Sequence, residues 1–579
     1  MLFNVRTILA STALCATAVL GACNGDDEPN GPQTVPPTNV VVTATSSSSA
    51  TVTFTAAQGA TGYVVERATG SAGAFTRVTT SPITATTFSD VNLTPATIYR
   101  YRVASVRGSD TSAFTAATQV TTLAIGNAIG ILAGNITANR TLFRDTLYQL
   151  NGYVKVQSGA TLTVQAGTRI LGGNAAGVGG ALFIYQGAKL IADGTRELPI
   201  VFTSSRPDGS RAPGDWGGIV IVGRATTNRT STPVLIEAPA ETQVQYNNGT
   251  DDNDDSGTLR YVRVEFAGFA VSADNELNSL SLYALGRNTD FEYVQTLAGL
   301  DDAFEWFGGT MDGRYLVSYE TQDDHFDFSE GYRGRNQFMI ALQTTTLTPN
   351  PGGSAGGPAT DPQIFEGDGC GGAGCVAGFS STPLTMPVFA NFTVIGRGTG
   401  GPTGGGNGLF LRRGVGGTFV NGIVARMPNR AITVLDTATS NRITSDSLSL
   451  RNLFLVENAA NFDPVGADTV STGTRRFGQA ARFAGRGVDT AATGTTTLSL
   501  FTTLFPTGGD PTGVSLNFTP AAGAPAEVRT GGLTSFPAPL AGRMSGFFGG
   551  SLFATSYRGA VNPDGSNQWY TGWTLYDRN

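Results

Sequence analysis

The residues best suited to chemistry are carboxylates that occur in two pairs near the middle of the chain. Asp301-Asp302 and Asp323-Asp324 lie 22 residues apart, and the single histidine, His325, follows the second pair directly. Two carboxylates held a few ångströms apart take different pKa values, so one can serve as an acid and the other as a base. Asp302 and Asp324 are therefore candidate catalytic residues for cleaving an acidic polysaccharide, with His325 and Arg333 or Arg335 to grip the sugar.

The same stretch lacks other elements that such catalysis uses. It has neither the Gly-His-Gly and Arg-x-Lys elements that accompany aspartate pairs in polygalacturonases nor the clustered lysines of pectate lyases. These absences favour a non-enzymatic role over a hydrolase or lyase.

Calcium binding is a second interpretation of the aspartates, because Ca²⁺ takes six to eight oxygen ligands, which stacked Asp and Asn rows supply. One candidate cluster comprises Asp301, Asp302, Asp323, Asp324 and Asp327. A second comprises Asp251, Asp252, Asp254 and Asp255. A third interpretation is structural, since aspartates cap turns by binding nearby backbone.

A regular spacing of aromatic residues predicts the fold that must position these aspartates. Tyr293, Phe304, Tyr315 and Phe326 recur at a step of eleven residues. Two steps make about one coil of a parallel β-solenoid, which buries its apolar faces by stacking. The strand-like runs are continuously apolar, as in parallel sheets, and no helical period of useful length separates them. We therefore predict an all-β chain in which Asp302 lies one coil from Asp324.

Composition narrows the class of protein. The chain has 579 residues and 77 glycines, only 14% of its residues are charged, and its net charge is −7. That length exceeds what one compact core supports, so several domains or an elongated solenoid are expected. No run of lysine or arginine is present, which argues against a nucleic-acid partner.

The N-terminus predicts export and anchoring. Residues 1–22 form a secretory signal with a short apolar stretch, Ile8 to Leu20. The sequence Leu-Gly-Ala before Cys23 resembles the lipobox of bacterial lipoproteins, which implies lipidation of Cys23. Residues 23–37 are a flexible tether. The resemblance implies membrane attachment in the cell envelope, with an outer-membrane anchor and a periplasmic or surface-exposed chain.

Residues 38–124 predict a small antiparallel sandwich, because seven short strand-like runs alternate with turn clusters. Gly62-Tyr63-Val64-Val65-Glu66-Arg67 and the run from Leu93 to Val103 resemble a fibronectin type III domain. The resemblance implies that Tyr99 is the tyrosine-corner residue and that the domain serves as a spacer. Phe54 stands where that family usually has tryptophan.

Residues 125–579 resemble a family of secreted bacterial lipoproteins with a right-handed parallel β-helix. The motifs carrying the resemblance are Gly214-Asp215-Trp216-Gly217-Gly218, Ser256 to Gly268, Leu409 to Gly414, and Trp569 to Trp573. The resemblance implies fold and location but no activity. We expect the aromatic C-terminal segment to cap the last coil. The four tryptophans, mostly core residues in proteins, could also stack on sugar rings.

One Gly/Pro-rich stretch, residues 344–387, predicts a loop insertion that leaves the stack. It contains Cys370 and Cys375, which we expect to form a disulfide in an oxidising compartment. Together these features predict a non-enzymatic cell-envelope lipoprotein whose β-helix presents a surface for a glycan or another protein, with calcium as a possible cofactor. The alternative is a hydrolase or lyase of acidic glycans.

Overall fold

A computed structural model describes most of the chain from residue 34 onward. The described residues are 34–44, 49–91, 93–123, 129–173, 180–272, 275–349, 356–398, 405–464, 476–501, 504, 516–536 and 540–578. Cys23 and residues 1–33 lie outside them. Among the described residues, no helix is long and apolar enough to cross a membrane.

The N-terminal region is the predicted sandwich. Its strands are Thr38–Ala44 (β1), Ala50–Thr55 (β2), Gly62–Thr69 (β3), Thr76–Arg77 (β4), Thr87–Asp90 (β5), Ile98–Arg107 (β6), Asp110–Thr111 (β7) and Thr118–Thr121 (β8). One sheet has the order β1-β2-β5, and the other has the order β4-β3-β6-β7 with β8 also on β6. Phe54 is buried with its ring centroid 4.7 Å from that of Tyr63. The Tyr99 hydroxyl accepts a hydrogen bond from the backbone N–H of Thr94 at 2.9 Å, which is the geometry of a tyrosine corner.

The rest of the chain is dominated by one parallel sheet of 23 strands, as expected of a β-helix. The first strands after the sandwich are Ile129–Ile136 (β9), Arg140–Leu142 (β10), Leu147–Val156 (β11), Thr161–Val164 (β12), Arg169–Gly172 (β13), Ala181–Ile184 (β14), Lys189–Asp193 (β15), Ile200–Ser204 (β16) and Ile219–Val222 (β17). The middle strands are Gly257–Glu265 (β18), Phe269–Ser272 (β19), Asn275–Leu277 (β20), Leu280–Tyr283 (β21), Asp290–Leu297 (β22), Phe304–Phe307 (β23), Gly313–Tyr319 (β24), Phe326–Ser329 (β25) and Arg335–Leu342 (β26). The last are Phe365–Asp368 (β27), Val388–Ile395 (β28), Leu409–Arg412 (β29), Gly417–Ala425 (β30), Ile432–Val434 (β31), Leu448–Val456 (β32) and Val488–Thr490 (β33). Strands β19 and β20 form a separate hairpin. The all-β prediction is confirmed.

The coil register explains the aromatic spacing. Phe304 pairs with Phe326 one coil later, and Phe326 pairs with Phe365 on the next coil. All three are fully buried, and the Phe304 and Phe326 rings lie 5.6 Å apart. Stacking like residues in this way fills the interior coil by coil, and it places each outward-facing neighbour in register as well.

The long strands bend sharply at one position in each coil. Tyr261, Tyr293, Tyr315 and Phe338 occupy this bend with φ values between 49° and 62°, a left-handed conformation that is uncommon for non-glycine residues. Their rings stack in sequence with centroid separations of 4.3, 4.4 and 5.2 Å. In later coils asparagines hold the bend, at Asn391, Asn421 and Asn452. The packed column stabilises the strained backbone.

The C-terminal segment lies along the side of the β-helix rather than over its last coil, which corrects the predicted cap. It includes helices Thr497–Leu500 (α2), Ala526–Arg529 (α3) and Leu540–Met544 (α4) and the hairpin Ser545–Phe547 (β34) and Gly550–Ser551 (β35), whereas Thr437–Thr444 (α1) lies earlier. Trp573 packs edge-on against Tyr261 at 5.7 Å, several coils from the last one. The segment lies there because it buries the apolar rings of the stacked residues at the strand bends (the bend column), which would otherwise be exposed to water. The last strand of the parallel sheet is β33, and the segment that follows it belongs to the same compact unit as the coils.

Two irregular segments shape the surface near the aspartates. An excursion between β17 and β18, residues 223–256, packs Tyr246 against Tyr283 and Phe307 on the outside of the coils. The predicted loop insertion at 344–387 is not one loop, because its residues 365–368 form β27 within the stack. Phe365 continues the interior column of phenylalanines. The Gly/Pro-rich residues on either side of this short strand made the whole stretch resemble a loop. The remaining irregular pieces include 3-10 helices at Ala240–Thr242, Gly378–Ser380 and Ala480–Phe483.

Candidate functional site

A column of carboxylates runs up one face of the β-helix. On strands β21, β23, β25 and β27, Ser281 pairs with Glu305, Glu305 with Asp327, and Asp327 with Glu366. Side chains alternate across a strand, so while Phe304, Phe326 and Phe365 point inward these residues point outward. The coil register thus places three carboxylates directly above one another, which are called the carboxylate column below.

A second column lies at the turns that precede these strands. Asp302 Oδ1 accepts the backbone N–H of Asp324 at 2.8 Å, and Asp324 Oδ1 in turn accepts the backbone N–H of Gln363. Gln363 Oε1 accepts from the backbone and side chain of Asn407 at 3.0 and 2.8 Å. All four residues are buried. This turn ladder (Asp302, Asp324, Gln363 and Asn407) ties successive coils together through side chains.

The two columns border one cleft with a volume of about 220 Å³. Its lining contains ten carboxylates, one amide and one guanidinium: Glu237, Glu276, Asn278, Asp301, Asp302, Glu305, Asp323, Asp324, Asp327, Asp361, Glu366 and Arg412. Arg412 pairs with Glu366 and, at 2.8 Å, with Asp368, so the single cation is already neutralised. The acidic cleft therefore concentrates negative charge that its own residues do not balance.

Burial and mutual repulsion raise the pKa values of these carboxyls. Burial followed by the nearby Glu366 raises the pKa of Asp323 to about 8. Burial followed by Asp368 raises the pKa of Glu366 to about 7, although Arg412 opposes the shift. The pKa values of Asp302, Glu305 and Asp327 are raised by the same two causes, burial first and adjacent carboxylates second. Such groups either hold protons or need a cation.

The carboxylate oxygens are close enough for a metal ion. Three overlapping sets have oxygens within 4.8 Å of one another: Asp301, Asp302 and Asp323; Asp302, Glu305 and Asp327; and Asp324, Asp327 and Glu366. Among the described residues, Oδ1 of Asp327 is a buried atom with no hydrogen-bond partner. An all-oxygen set of this kind suits a hard cation such as Ca²⁺. The five aspartates of the first predicted calcium cluster are thus brought together.

The predicted gripping residues do not line this cleft. His325 is buried, its Nδ1 lies 2.6 Å from Oγ of Ser318, and burial lowers its pKa to about 3, so it is neutral at pH 7. Arg333 pairs with Asp252, and Arg335 pairs with the buried Asp312 at 2.5 Å. These groups are close to the aspartates along the chain, but Arg333 and Arg335 follow β25, whereas Asp323 and Asp324 precede it. The His325 side chain is bonded to Ser318 instead of lining the cleft.

The second predicted calcium cluster does not converge in the described part of the chain. Asp252 accepts from Thr226 and Arg333, Asp254 from Ser256, and Asp255 from Lys189. Asp251 Oδ1 accepts from the N–H of Asn253, in a local turn. These acids hold the 223–256 excursion in place instead of forming a common site.

The predicted disulfide is present, and its loop contacts the 223–256 excursion. Cys370 and Cys375 are bonded, and the short loop between them contacts Arg229 of the excursion, whose Nε donates to the carbonyl of Ala373 at 2.7 Å. Arg229 also pairs with Glu330, which accepts a hydrogen bond from Tyr246. The disulfide loop therefore holds the excursion, residues 223–256, against the coils that contain Tyr283 and Phe307.

Half of the ten carboxylates that line the cleft are not among the residues predicted from the sequence. Glu305 lies 22 residues before Asp327, so the same period that relates Asp302 to Asp324 contained the signal. Glu366 follows Asp327 by a longer interval, because the chain leaves the stack between β26 and β27. Glu237 and Glu276 come from the excursion and the β19–β20 hairpin, which no periodicity describes.

All four tryptophans are buried, with at most 1% of their surface exposed. They belong to the interior and to the contact with the C-terminal segment. The proposal that they stack on sugar rings is wrong for this reason.

With the geometry established, comparison with known proteins places the chain in a family. A family model described as a pectate-lyase like beta helix domain matches residues 134–496. The chain belongs to this pectate-lyase-like beta-helix family. A second model, the fibronectin type III domain, matches residues 35–121 of this beta-helix protein. No curated protein matches it.

Several solved structures match this pectate-lyase-like protein over a small part of the chain. The chicken CNTN1 FN1–FN3 domains are 23% identical over 16% of this chain and 32% of that chain, with a TM-score of 0.15. A Fn3-like protein from Clostridium thermocellum is 29% identical over 15% of this chain and 92% of that one, with a TM-score of 0.15. The FN5 domain of Drosophila Lar is 22% identical over 16% of this chain and 97% of its own, with a TM-score of 0.14. This chain thus spans about a third of the chicken structure's length.

Proposed function

We propose that this chain is a cell-envelope lipoprotein, lipid-anchored through Cys23 to the outer membrane, whose β-helix binds a glycan in the acidic cleft without cleaving it. The observation that carries the proposal is the convergence of ten carboxylates on one cleft containing a single, already paired, arginine. Carboxylates accept hydrogen bonds from sugar hydroxyls. The fibronectin type III domain serves as a spacer between anchor and binding domain.

Calcium is the proposed cofactor, held by the carboxylate column and the adjacent aspartates. Asp301, Asp302, Asp323, Asp324 and Asp327, together with Glu305 and Glu366, would supply oxygens that Ca²⁺ accepts. The cation would neutralise repelling carboxylates and would provide open coordination positions for hydroxyl or carboxylate groups of the ligand. This explains how an acidic cleft could bind even an acidic glycan.

The cleft's length suits a polymer more than an ion alone. Ser281, Glu305, Asp327 and Glu366 occupy four successive coils. With about 4.8 Å between neighbouring strands, this column extends about 14 Å. A repeating saccharide laid along it would meet like chemical groups at each coil.

A calcium titration with the full chain tests the metal. We expect calorimetric binding of CaCl₂ and a fall of several degrees in melting temperature on adding EGTA, because a ligand of the native state stabilises it. The Glu305→Gln and Asp327→Asn double variant should lose both effects. Asp145→Asn, an exposed aspartate outside the cleft, is the matched control. An unchanged melt with EGTA would overturn the calcium assignment.

A glycan array probed with the full chain, with calcium and with EGTA, tests the ligand. We expect bound glycans that depend on Glu305 and Asp327 and are released unchanged. Binding to no glycan, together with capture of an envelope protein through the same residues, would replace the glycan by a protein partner.

Catalysis is the second candidate function, favoured by the raised pKa values of Glu305, Asp327 and Asp302 within one cleft. An acid with a raised pKa beside a second carboxylate is the arrangement of glycoside hydrolases. Against it, Asp302 and Asp324 each commit an oxygen to the turn ladder. Release of reducing sugar or unsaturated product from acidic polysaccharides, lost in Asp324→Asn, would establish a hydrolase or lyase.

A further inference from the structure

A second cavity of opposite charge lies at the other end of the same coils. Its volume is about 470 Å³, and it is lined by Arg287, Arg333, Arg335 and Arg543 together with Met386, Val388 and residues of the 542–546 segment. Arg287 and Arg333 follow strands β21 and β25, whereas the aspartate pairs of the acidic cleft, at 301–302 and 323–324, precede β23 and β25. This arginine pocket is therefore separate from the acidic cleft, and it is closed on one side by the C-terminal segment.

Two of the four guanidinium groups are held rigidly by acids. Arg335 donates from Nε and Nη2 to Asp312 at 2.8 and 2.5 Å, and both residues are buried. Arg333 donates to both oxygens of Asp252 at 3.1 and 3.2 Å. These pairs fix the planar forks in place before any ligand arrives, which lowers the entropy lost on binding.

The other two arginines, Arg287 and Arg543, form no salt bridge with an acid among the described residues. Arg287 is exposed and makes no ion pair there. Arg543 donates only to neutral oxygens, Oγ1 of Thr418 at 3.3 Å and the carbonyl of Ser447 at 3.4 Å. Burial lowers the pKa of Arg543, so its charge is held at a cost that a bound anion would offset. The four guanidinium groups thus form only two ion pairs of their own, and Asp446, whose charge also acts on Arg543, is already paired with Arg451 and Arg486. The pocket therefore carries excess positive charge.

We propose that the arginine pocket binds a phosphate monoester carried by a group of about the size of a sugar. A phosphate monoester is close to a dianion at pH 7 and presents three acceptor oxygens, which match the two guanidinium groups that form no salt bridge in the described part of the chain. Arginine forks recognise such oxygens in pairs. The volume exceeds that of a bare ion and lies within the range of small-molecule sites, so the pocket also holds the group that carries the phosphate.

This chemistry has two possible sources in an envelope. One is a soluble sugar phosphate, and the other is a phosphorylated saccharide of a glycolipid. Both present the same phosphate monoester, so the experiment must separate them.

Calorimetry on the full chain tests the pocket with glucose 6-phosphate, inorganic phosphate and glucose as probes. We expect one molecule of glucose 6-phosphate per chain, weaker binding as salt rises, and no binding of glucose. The Arg287→Gln and Arg543→Gln double variant should weaken binding at least about tenfold. Arg144→Gln, an exposed arginine elsewhere, is the matched control and should bind as the unmodified chain does.

Flotation with phosphatidylcholine vesicles, with and without monophosphoryl lipid A, identifies the source. Binding of the lipid vesicles without binding of glucose 6-phosphate assigns the glycolipid, and the reverse assigns the soluble sugar. If the double variant melts at a lower temperature, the binding test is repeated with Arg287→Gln alone. That single change should not destabilise the fold, because Arg287 is exposed and makes no ion pair among the described residues. No binding of any phosphate probe, binding of inorganic phosphate alone, or equal binding by the variants overturns the proposal.

Discussion

Asp323 and Glu366 contribute, together with the other cleft carboxyls whose pKa values are raised, to the way the stability of the chain depends on pH. The pKa values of Asp323 and Glu366 in the folded chain are about 8 and about 7, whereas in an unfolded chain they would lie near 4. Above about pH 4 the unfolded chain therefore binds fewer protons than the folded chain, so the free energy of unfolding falls as pH rises toward 8. We expect the melting temperature in EGTA to decrease from pH 5 to pH 8.

The matched variants show whether the cleft causes this slope. Asp323→Asn should flatten the decrease because its side chain cannot ionise, whereas Asp145→Asn should leave it unchanged. Thermal melts followed by circular dichroism measure both. A melting temperature that rises with pH in EGTA would contradict the raised pKa values.

Asp324 also carries a structural task, which substitution can separate from its charge. Asp324→Asn and Asp324→Ala both remove the negative charge, but only asparagine keeps an oxygen to accept the N–H of Gln363. Leaving that buried N–H unpaired costs about 1–3 kcal/mol. We expect the alanine variant to unfold more easily than the asparagine variant by this amount in denaturant titrations.

Asp361 provides the comparison for the turn ladder. It lines the same cleft but is exposed, so its asparagine and alanine variants should differ little. An equally small difference at Asp324 would show that the ladder hydrogen bond does not stabilise the coils.

At the scale of elements, the short disulfide loop stabilises the position of the 223–256 excursion. Replacing Cys370 and Cys375 by serine removes a cross-link over five residues of separation, which is worth about 2 kcal/mol for so short a loop. Thr230 and Arg229 bond to this loop, so the excursion should loosen with it. We expect faster hydrogen exchange at residues 229–234 in the double serine variant.

Reduction of the unmodified chain should reproduce that change, and the exchange of strand β30 at the centre of a later coil should stay as it was. Loosening confined to the loop itself would show that the excursion is held by Tyr246 and Glu330 instead.

The same elements show which features a sequence can predict. The 22-residue period specified that Asp302 stacks on Asp324, because repeated apolar residues fix the register and the register fixes their neighbours. It could not supply Glu366, since an irregular segment separates β26 from β27, nor Glu237 on the excursion. Contacts made by non-repeating segments depend on tertiary packing that no period encodes, and for this reason the C-terminal segment was wrongly placed at the end of the stack.

At the scale of the whole β-helix, the C-terminal segment is a strap along the bend column. Trp573 and Trp569 pack against Tyr261, Tyr293 and Tyr315. Hydrogen bonds reinforce the contact, since Asn421 exchanges bonds with Leu533 and Asn391 donates to Thr555. The strap covers apolar residues on several coils, which would otherwise form a large exposed patch.

Trp573→Ala tests whether the strap stabilises the coils or merely rests on them. Truncating a fully buried tryptophan costs about 3–5 kcal/mol. If that loss frees the strap while the parallel sheet persists, limited proteolysis should release fragments from the 516–578 region and leave the coils intact, with increased binding of an apolar dye. Leu498→Ala, at a residue that is 55% exposed, should change neither measurement. Cleavage spread evenly over the coils and the strap would instead show that the two unfold as one unit, because the stacked tyrosines could not then keep their strained bends without the strap.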